Sequence, residues 1–404
     1  MASGSSALWN YAPVEIAFKA TIISLIAISA LIFFIWARRT YRARYFARRD
    51  ARAYFIRQRW PQIVSLRINP ETWREKALER ELVQTILLDN INIATEDELP
   101  SLLRCLRVSG LLDVRIQQVR ATRGWKRQAA LLALGRTRAP EAIPALAEAL
   151  SSNRPGVVAI AVRALGNIGV PEAAIPILDR LVQDKLPVSA VSLKGSLVRC
   201  CKAKPSLLLQ YMAGVSAELR EVLARTLAEI ATPDMGEDLA ILTSDPSPEV
   251  RASAARALRH TQPDFAVPLL TSLSIDEIWF VRLRAVVSLS SFHGHDSIDA
   301  LIRALCDTNR VVRQRAATAL ASFHSDVCWI LKGVIATGDQ YALHAFISEL
   351  QRHGQYGELI NQLRTLARTR PQDTYLIAAA ENARNELARE IEPVTFETQH
   401  MVGD

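Results

Sequence analysis

The side chains best suited to chemistry lie close together near residue 300: His293, His295 and Asp296, followed by His324 and Asp326. Imidazoles and carboxylates at short spacing are the ligand types of a zinc site, which needs several of them near 2 Å from one centre. His293 and His324 are 31 residues apart, the same interval as the helical repeat derived below. The two rings are therefore expected on the same turn of adjacent repeats, about 10 Å apart, too far to share an ion without adjustment. Phe292 and Phe323 precede them. A repeated turn with Phe inside and His facing solvent explains the pattern, and a metal held by His293, His295 and His324 is the secondary reading. The five cysteines, Cys105, Cys200, Cys201, Cys306 and Cys328, form an odd set without CxxC spacing, which argues against a disulfide framework or a zinc knuckle. Cys200 and Cys201 are expected to pack rather than react. No GxxxxGK[ST], GxSxG or HExxH motif occurs, and few segments read as the strands that phosphate-binding loops and nucleophile elbows require. The reading is therefore a protein without catalytic residues or cofactor.

The elements that carry these side chains repeat. The segments KRQAALLAL, VVAIAVRAL, LREVLARTL, VRASAARAL, VRLRAVVSL and VRQRAATAL end at Leu134, Leu165, Leu227, Leu258, Leu289 and Leu320, and Leu197 fills the gap. The step is 31 residues, with one of 32 and one of 30 around Leu197. A second apolar register follows twelve residues after the anchors at Leu146, Ile177, Leu209, Leu239, Leu270 and Leu301, and fails only in the last repeat, where Leu331 is one residue early. Each unit therefore reads as two amphipathic helices. The residue before each anchor leucine is small (Ala133, Ala164, Ser196, Thr226, Ala257, Ser288 and Ala319), which allows helix axes to approach closely. Breakers such as Gly166, Gly169 and Pro171, or Thr261, Gln262 and Pro263, mark the turns between helices. A hairpin of this size cannot bury its apolar face alone, so the units must stack. Lys194, Gly195 and Pro205 are expected to interrupt the third unit, where a hinge could form.

Acid and base also keep the 31-residue register. Asp245 and Arg251, Asp276 and Arg282, and Asp307 and Arg313 are each six apart, while Arg220 and Arg127 keep the base alone and Val158 and Ser189 replace it. This pattern resembles HEAT repeats, in particular the short bacterial form called the phycobilisome-lyase-like HEAT repeat. The resemblance covers about residues 120 to 350. It implies an all-α solenoid of about seven 31-residue hairpins, in which the six Asp and Arg residues form a structural ladder. It also implies a bacterial source and binding of other proteins. Residues 61–119 and 353–404 are expected to supply helical caps, starting at Asn69-Pro70-Glu71, at a Thr95–Glu98 capping box, and in PQDTYLIAAAENARNELAREIE, with a polar tail from Pro393.

The first sixty residues differ in kind. ATIISLIAISALIFFIWA, residues 20–37, carries no charge, and Ile16–Phe18 extends the apolar stretch toward the roughly 20 residues that span a bilayer core. Trp9, Tyr11, Trp36 and Tyr41 flank it, as interfacial aromatics do. Glu15 and Lys19 are spaced to pair at its outer rim. Residues 38–59 hold nine arginines and one acid, leaving 39 basic and 39 acidic residues in 60–404. The positive charge is local, so no nucleic-acid footprint is expected on the repeats. Arg38, Arg39, Arg42, Arg44, Arg48, Arg49 and Arg52 are read as a membrane-surface set that also fixes orientation by the positive-inside rule.

The expected organisation is a transmembrane segment in 1–37, an arginine-rich helix in 38–60, a diverged cap in 61–119, repeats in 120–352 and a closing cap in 353–404. It describes a single-pass inner-membrane protein, N-terminus outside and repeats in the cytoplasm. The function expected is a scaffold for membrane-associated proteins, such as an accessory subunit of a transport, secretion or envelope-glycan assembly. A bilin-lyase-like or small-ligand-binding protein is the alternative that the resemblance raises.

Overall fold

A computed structural model describes residues 12–67, 77–183, 186–213 and 215–391. The expectations for Trp9, Tyr11, the Asn69 helix start, the Glu15 side chain and the Pro393 tail lie outside it. Among the described residues there is no strand. The fold is all-α, in two compact units, residues 1–142 and 143–404.

The first unit begins with α1 (Ala12–Gln58), α2 (Trp60–Val64), α3 (Ala77–Ile93), α4 (Leu99–Val108), α5 (Leu111–Ala121) and α6 (Gly124–Gly135). No glycine or proline occurs between Pro13 and Pro61, so nothing in that stretch removes a backbone donor or favours a left-handed turn. One helix therefore runs through the apolar and arginine-rich segments for 47 residues. Its last turns dock on α2 and α3, with Ile56 buried. Leu82, Val83, Ile86, Leu87 and Ile91 form the core side of α3. At the start of α4 half of the expected capping box is present, the Thr95 N–H donating to Glu98 Oε2 at 3.3 Å. Gly110, at φ 64°, turns the chain into α5 in a conformation that a side chain would strain.

The second unit is a run of hairpins. After α7 (Ile143–Leu150) come α8 (Pro155–Ile168) with α9 (Pro171–Gln183), α10 (Ala190–Cys201) with α11 (Ser206–Met212), and α12 (Ala217–Ile230) with α13 (Gly236–Ala240). Then follow α14 (Pro248–Leu258) with α15 (Pro263–Leu273), α16 (Trp279–Leu289) with α17 (His295–Leu305), and α18 (Arg310–Ala321) with α19 (Val327–Ala336). The series ends with α20 (Gln340–Arg352), α21 (Tyr356–Thr369) and α22 (Tyr375–Ile391). The first helix of each hairpin packs on the first helix of the next from α8 to α20, and α20 also meets α22. The hairpin pattern thus continues past residue 352, because α20 and α21 pack on α18 and α19 as the earlier pairs do.

The periodic leucines form the core. Leu134, Leu165, Leu197, Leu227, Leu258, Leu289 and Leu320 are all fully buried. In the second register Leu146, Ile177, Leu239, Leu270, Leu301 and Leu331 are buried as expected, but the third unit departs: Leu208 is fully buried and Leu209 is not. Leu208 keeps the 31-residue step from Ile177 to Leu239; the extra residue before Leu197 shifts only the first helix. Gly195 does not break α10, which runs through it, and Lys194 pairs with Glu229. Gly166 is not a turn residue either. It lies inside α8, where a Cβ would come within 2.6 Å of Ser196 Cβ and 2.7 Å of Ser196 Cα; the turn itself is made by Gly169 at φ 75°. Glycine and serine at this crossing let α8 and α10 touch almost backbone to backbone.

Gly166→Ala should therefore lower stability by about 1–3 kcal/mol through overpacking. Gly195→Ala has open space and should be neutral or stabilising by up to about 1 kcal/mol. Urea midpoints of the two variants should move in different directions; equal loss from both would refute the close approach.

Candidate interaction surface

The ladder residues join successive repeats, and Arg251 and Arg282 each grip two loops. Arg251 Nη1 donates to the Asp245 and Pro246 carbonyls at 2.9 and 3.3 Å, six and five residues back in its own repeat. Its other edge forms a fork on the next repeat, Nε to Asp276 Oδ2 at 2.7 Å and Nη2 to Asp276 Oδ1 at 2.9 Å. Arg282 repeats this with the Asp276 and Glu277 carbonyls at 2.8 and 3.0 Å and with Asp307 at 2.6 and 2.9 Å. The ion pairs thus span 25 residues and not six; the six-residue spacing marks the carbonyl contact. Each aspartate also fixes the turn before the following helix, Asp245, Asp276 and Asp307 accepting from the Ser247, Ile278 and Asn309 amides two residues on at 2.8, 2.9 and 2.7 Å. Planar two-point pairing of this kind suits arginine and not lysine.

The rungs are not equal. Arg220 Nε stands 2.8 Å from Asp245 Oδ2, but that N–H is not aligned for a hydrogen bond and Nη2 donates at only 3.4 Å. Arg220 has Gly214 where the later rungs have an aspartate six residues back. Further back, where Ser189 replaces the arginine, other contacts take over: Arg199 Nε donates to the Gly166 carbonyl at 3.1 Å and the Tyr211 hydroxyl to Asp179 at 2.7 Å. Burial disfavours the charged carboxylate of Asp276, yet the Arg251 fork and the Ile278 amide hold it below the ordinary aspartate range. Asp307 is held low in the same way, against burial, by Arg282 and the Asn309 amide.

The histidine turns are not brought together on one centre. Phe292 and Phe323 are buried while His293, His295 and His324 are exposed. The His293 ring meets Phe323 edge-on at 5.0 Å and the His295 ring meets Trp329 at 4.8 Å. Among the described residues no group of three His, Cys, Asp or Glu side chains could hold a metal ion. A groove of about 480 Å³ opens beside this turn, lined by Asp264, Pro268, Phe292, His293 and Asp296. Burial raises Cys200 to about 11 and Cys201 to about 12; both are fully buried and protonated at neutral pH, the state of packing residues and not of nucleophiles.

Along α1, Arg38, Arg39, Arg42, Arg44 and Arg48 are exposed and Arg49 is half-buried. Arg52 departs from the membrane-surface set: its Nη2 donates to Glu79 Oε1 of α3 at 2.6 Å, and it lies 4.9 Å from the Phe55 ring centroid. A partner 27 residues away leaves no periodic trace, so the charge run alone could not separate Arg52 from its neighbours.

The family model described as HEAT repeats matches residues 112–191, 205–290 and 237–321. The chain belongs to the HEAT-repeat superfamily. No curated protein matches it. Among solved structures it is similar to an engineered protein (18% identity, 81% of this chain and 98% of the other, TM-score 0.34). It is similar also to human deoxyhypusine hydroxylase in complex with glycerol (19%, 61% and 97%, TM-score 0.27). A third is the complex of CpcE and CpcF of phycocyanin lyase from Nostoc (26%, 44% and 98%, TM-score 0.27).

The ladder of these HEAT repeats has a pH signature. Because the folded-state values of Asp276 and Asp307 are depressed, their stabilisation is full above the unfolded value of about 3.9 and is lost as pH falls through the lower folded values. Asp276→Asn should cost about 1.5–3 kcal/mol near neutral pH and flatten the acid limb of the stability curve. Urea midpoints for both proteins at about pH 7 and about pH 3 check this; a parallel acid limb would refute it.

Proposed function

We propose that this chain is a protein-binding HEAT scaffold tethered to a membrane by the apolar part of α1, with the preceding end outside and the repeats in the cytoplasm. The observation that carries the reading is the bare apolar helix. Residues 16–36 are exposed throughout among the described residues, and Ile16, Phe18, Ile26 and Leu31, on different sides of the helix, are 68%, 66%, 62% and 58% exposed. A helix apolar all round requires a hydrocarbon environment, and 22 residues rise roughly 33 Å, close to the roughly 30 Å of a bilayer core. Trp36 and Tyr41 stand at the end where the arginines begin, and that order argues for a cytoplasmic repeat unit.

The continuity of α1 also narrows the lipid-facing set. At about 1.5 Å per residue, Arg38, Arg39, Arg42 and Arg44 fall within about 10 Å of Ala37, near the reach of a head-group field at physiological salt. Arg48 and Arg49 lie farther out. The protein-binding part of the reading rests on the repeat fold, whose stacked hairpins form an extended surface, and tethering raises its effective concentration toward clients in the same membrane.

Deleting residues 16–37, which leaves the Ile56 and Arg52 docking contacts in place, should release the protein from carbonate-washed membranes and abolish near-stoichiometric crosslinking to a membrane-associated partner. Orientation is read on native thiols: a membrane-impermeant maleimide should label the exposed Cys306 only after permeabilisation. Labelling of intact cells would reverse the assigned topology.

A further inference from the structure

The ladder ends on an arginine that has no carboxylate. Arg313 on α18 is fixed as its predecessors are, Nη1 donating to the Asp307 and Thr308 carbonyls at 2.7 and 3.1 Å. In Arg251 and Arg282 that anchor directs the Nε and Nη2 edge onto an aspartate 25 residues ahead. Twenty-five residues beyond Arg313 stands Gly338, at φ 71°. The neighbouring Asp339 is turned to cap α20, its Oδ1 accepting from the Tyr341 and Ala342 amides at 2.8 and 3.2 Å. Among the described residues no acceptor meets Arg313 Nε or Nη2, and no carboxylate lies within ion-pairing distance of it.

Arg313 also lines a groove between α18 and α20. It measures about 280 Å³ and is lined by Arg310, Arg313, Gln314, Tyr341, Glu349 and Arg352. Glu349 does not fill the vacancy on Arg313. Its oxygens take Thr318 at 2.9 Å, His353 at 3.2 Å and Arg352. Three guanidinium groups therefore face one satisfied carboxylate, and the groove is net positive. Tyr341 in its lining is 76% exposed, giving aromatic surface beside the charge.

The geometry points to a docking site for an aspartate of a partner protein, taken side-on by Arg313 as Arg251 and Arg282 take the chain's own ladder aspartates. An aspartate loop fits better than a bulkier anion, because the two filled rungs give the shape of the occupant: a carboxylate on a short stem at the start of a helix. The inference rests on the protein-binding reading and names the chemistry of the partner; it does not depend on the membrane tether.

The probe is a peptide copying the loop that serves Arg251. It is acetyl-Ser-Ile-Asp-Gln-Ile-Trp-amide, residues 274–279 with Glu277 replaced by Gln, so that one carboxylate remains. Titrated calorimetrically into the full chain in lipid nanodiscs, it should bind saturably, and Asp→Asn in the peptide should weaken binding roughly tenfold or more. Arg313→Gln should lose the same factor, with no further loss when both changes are combined. Arg313→Lys, which keeps the charge without the fork, should fall between and serves as the variant to use if Arg313→Gln melts early. The proposal is overturned if the aspartate and asparagine peptides bind alike, if Arg313→Gln binds as the parent does, or if inorganic phosphate binds in preference to the peptide. Those outcomes would leave the carbonate-wash and crosslinking results standing.

Discussion

A two-helix hairpin of about thirty residues has more apolar surface than it can cover by itself, and only a neighbour of the same kind can cover the rest. That constraint governs the second unit. It requires a leucine to return at the same place in every first helix, a small side chain beside it, and a joint between neighbours that resists sliding. Leu165 through Leu320 meet the first demand by complete burial. Ser196, pressed against Gly166, meets the second. The third falls to Arg251 and Arg282, each of which holds a carbonyl behind and a carboxylate ahead, so that one side chain fixes both the shape of its own loop and the distance to the next.

This joint is polar, yet it adds little unpaired charge to the interior. Arg282 and Asp307 side chains are only 14% and 6% exposed, a degree of burial at which an isolated ion would be costly. Five hydrogen bonds around Arg282 and Asp307, four from the guanidinium and one from the Asn309 amide, offset that cost. The weaker first rung illustrates the dependence. Without a loop aspartate behind it, Arg220 approaches Asp245 at ion-pair distance but with poor alignment. Where the ladder is absent, Arg199, Tyr211 and Lys194 tie the helices by contacts of no common register.

Much of this was legible in the residue order, because the features that recur are those that a stack must repeat. The buried leucines, the small residues and the acid–base register all follow from a 31-residue interval. What stayed illegible arises where one residue breaks the interval or where the partner is remote. The extra residue before Leu197 moved the first helix of that unit but not the second, so Leu208 and not Leu209 is buried. Arg52 belongs to Glu79 through a fold contact that no local spacing announces. Asp339 stands one residue past the ladder position, near enough to read as a rung, yet its carboxylate serves its own helix. The histidine rings took their orientation from Phe323 and Trp329, aromatic edges of the following turn that a ligand-spacing argument does not weigh.

The uninterrupted α1 has a mechanical consequence. Ile56, which docks the helix onto the first unit, follows Ala37 by nineteen residues, or about 28 Å of helix, and the intervening stretch has neither glycine nor proline to bend it. With residues 16–37 in a bilayer, such an attachment acts as a strut and not a leash. Flexible tethers let a bound domain sweep a volume and find clients at many heights. A strut holds the first unit at one height above the lipid, and its binding geometry is then set by the rise of a helix as much as by the chemistry of a surface.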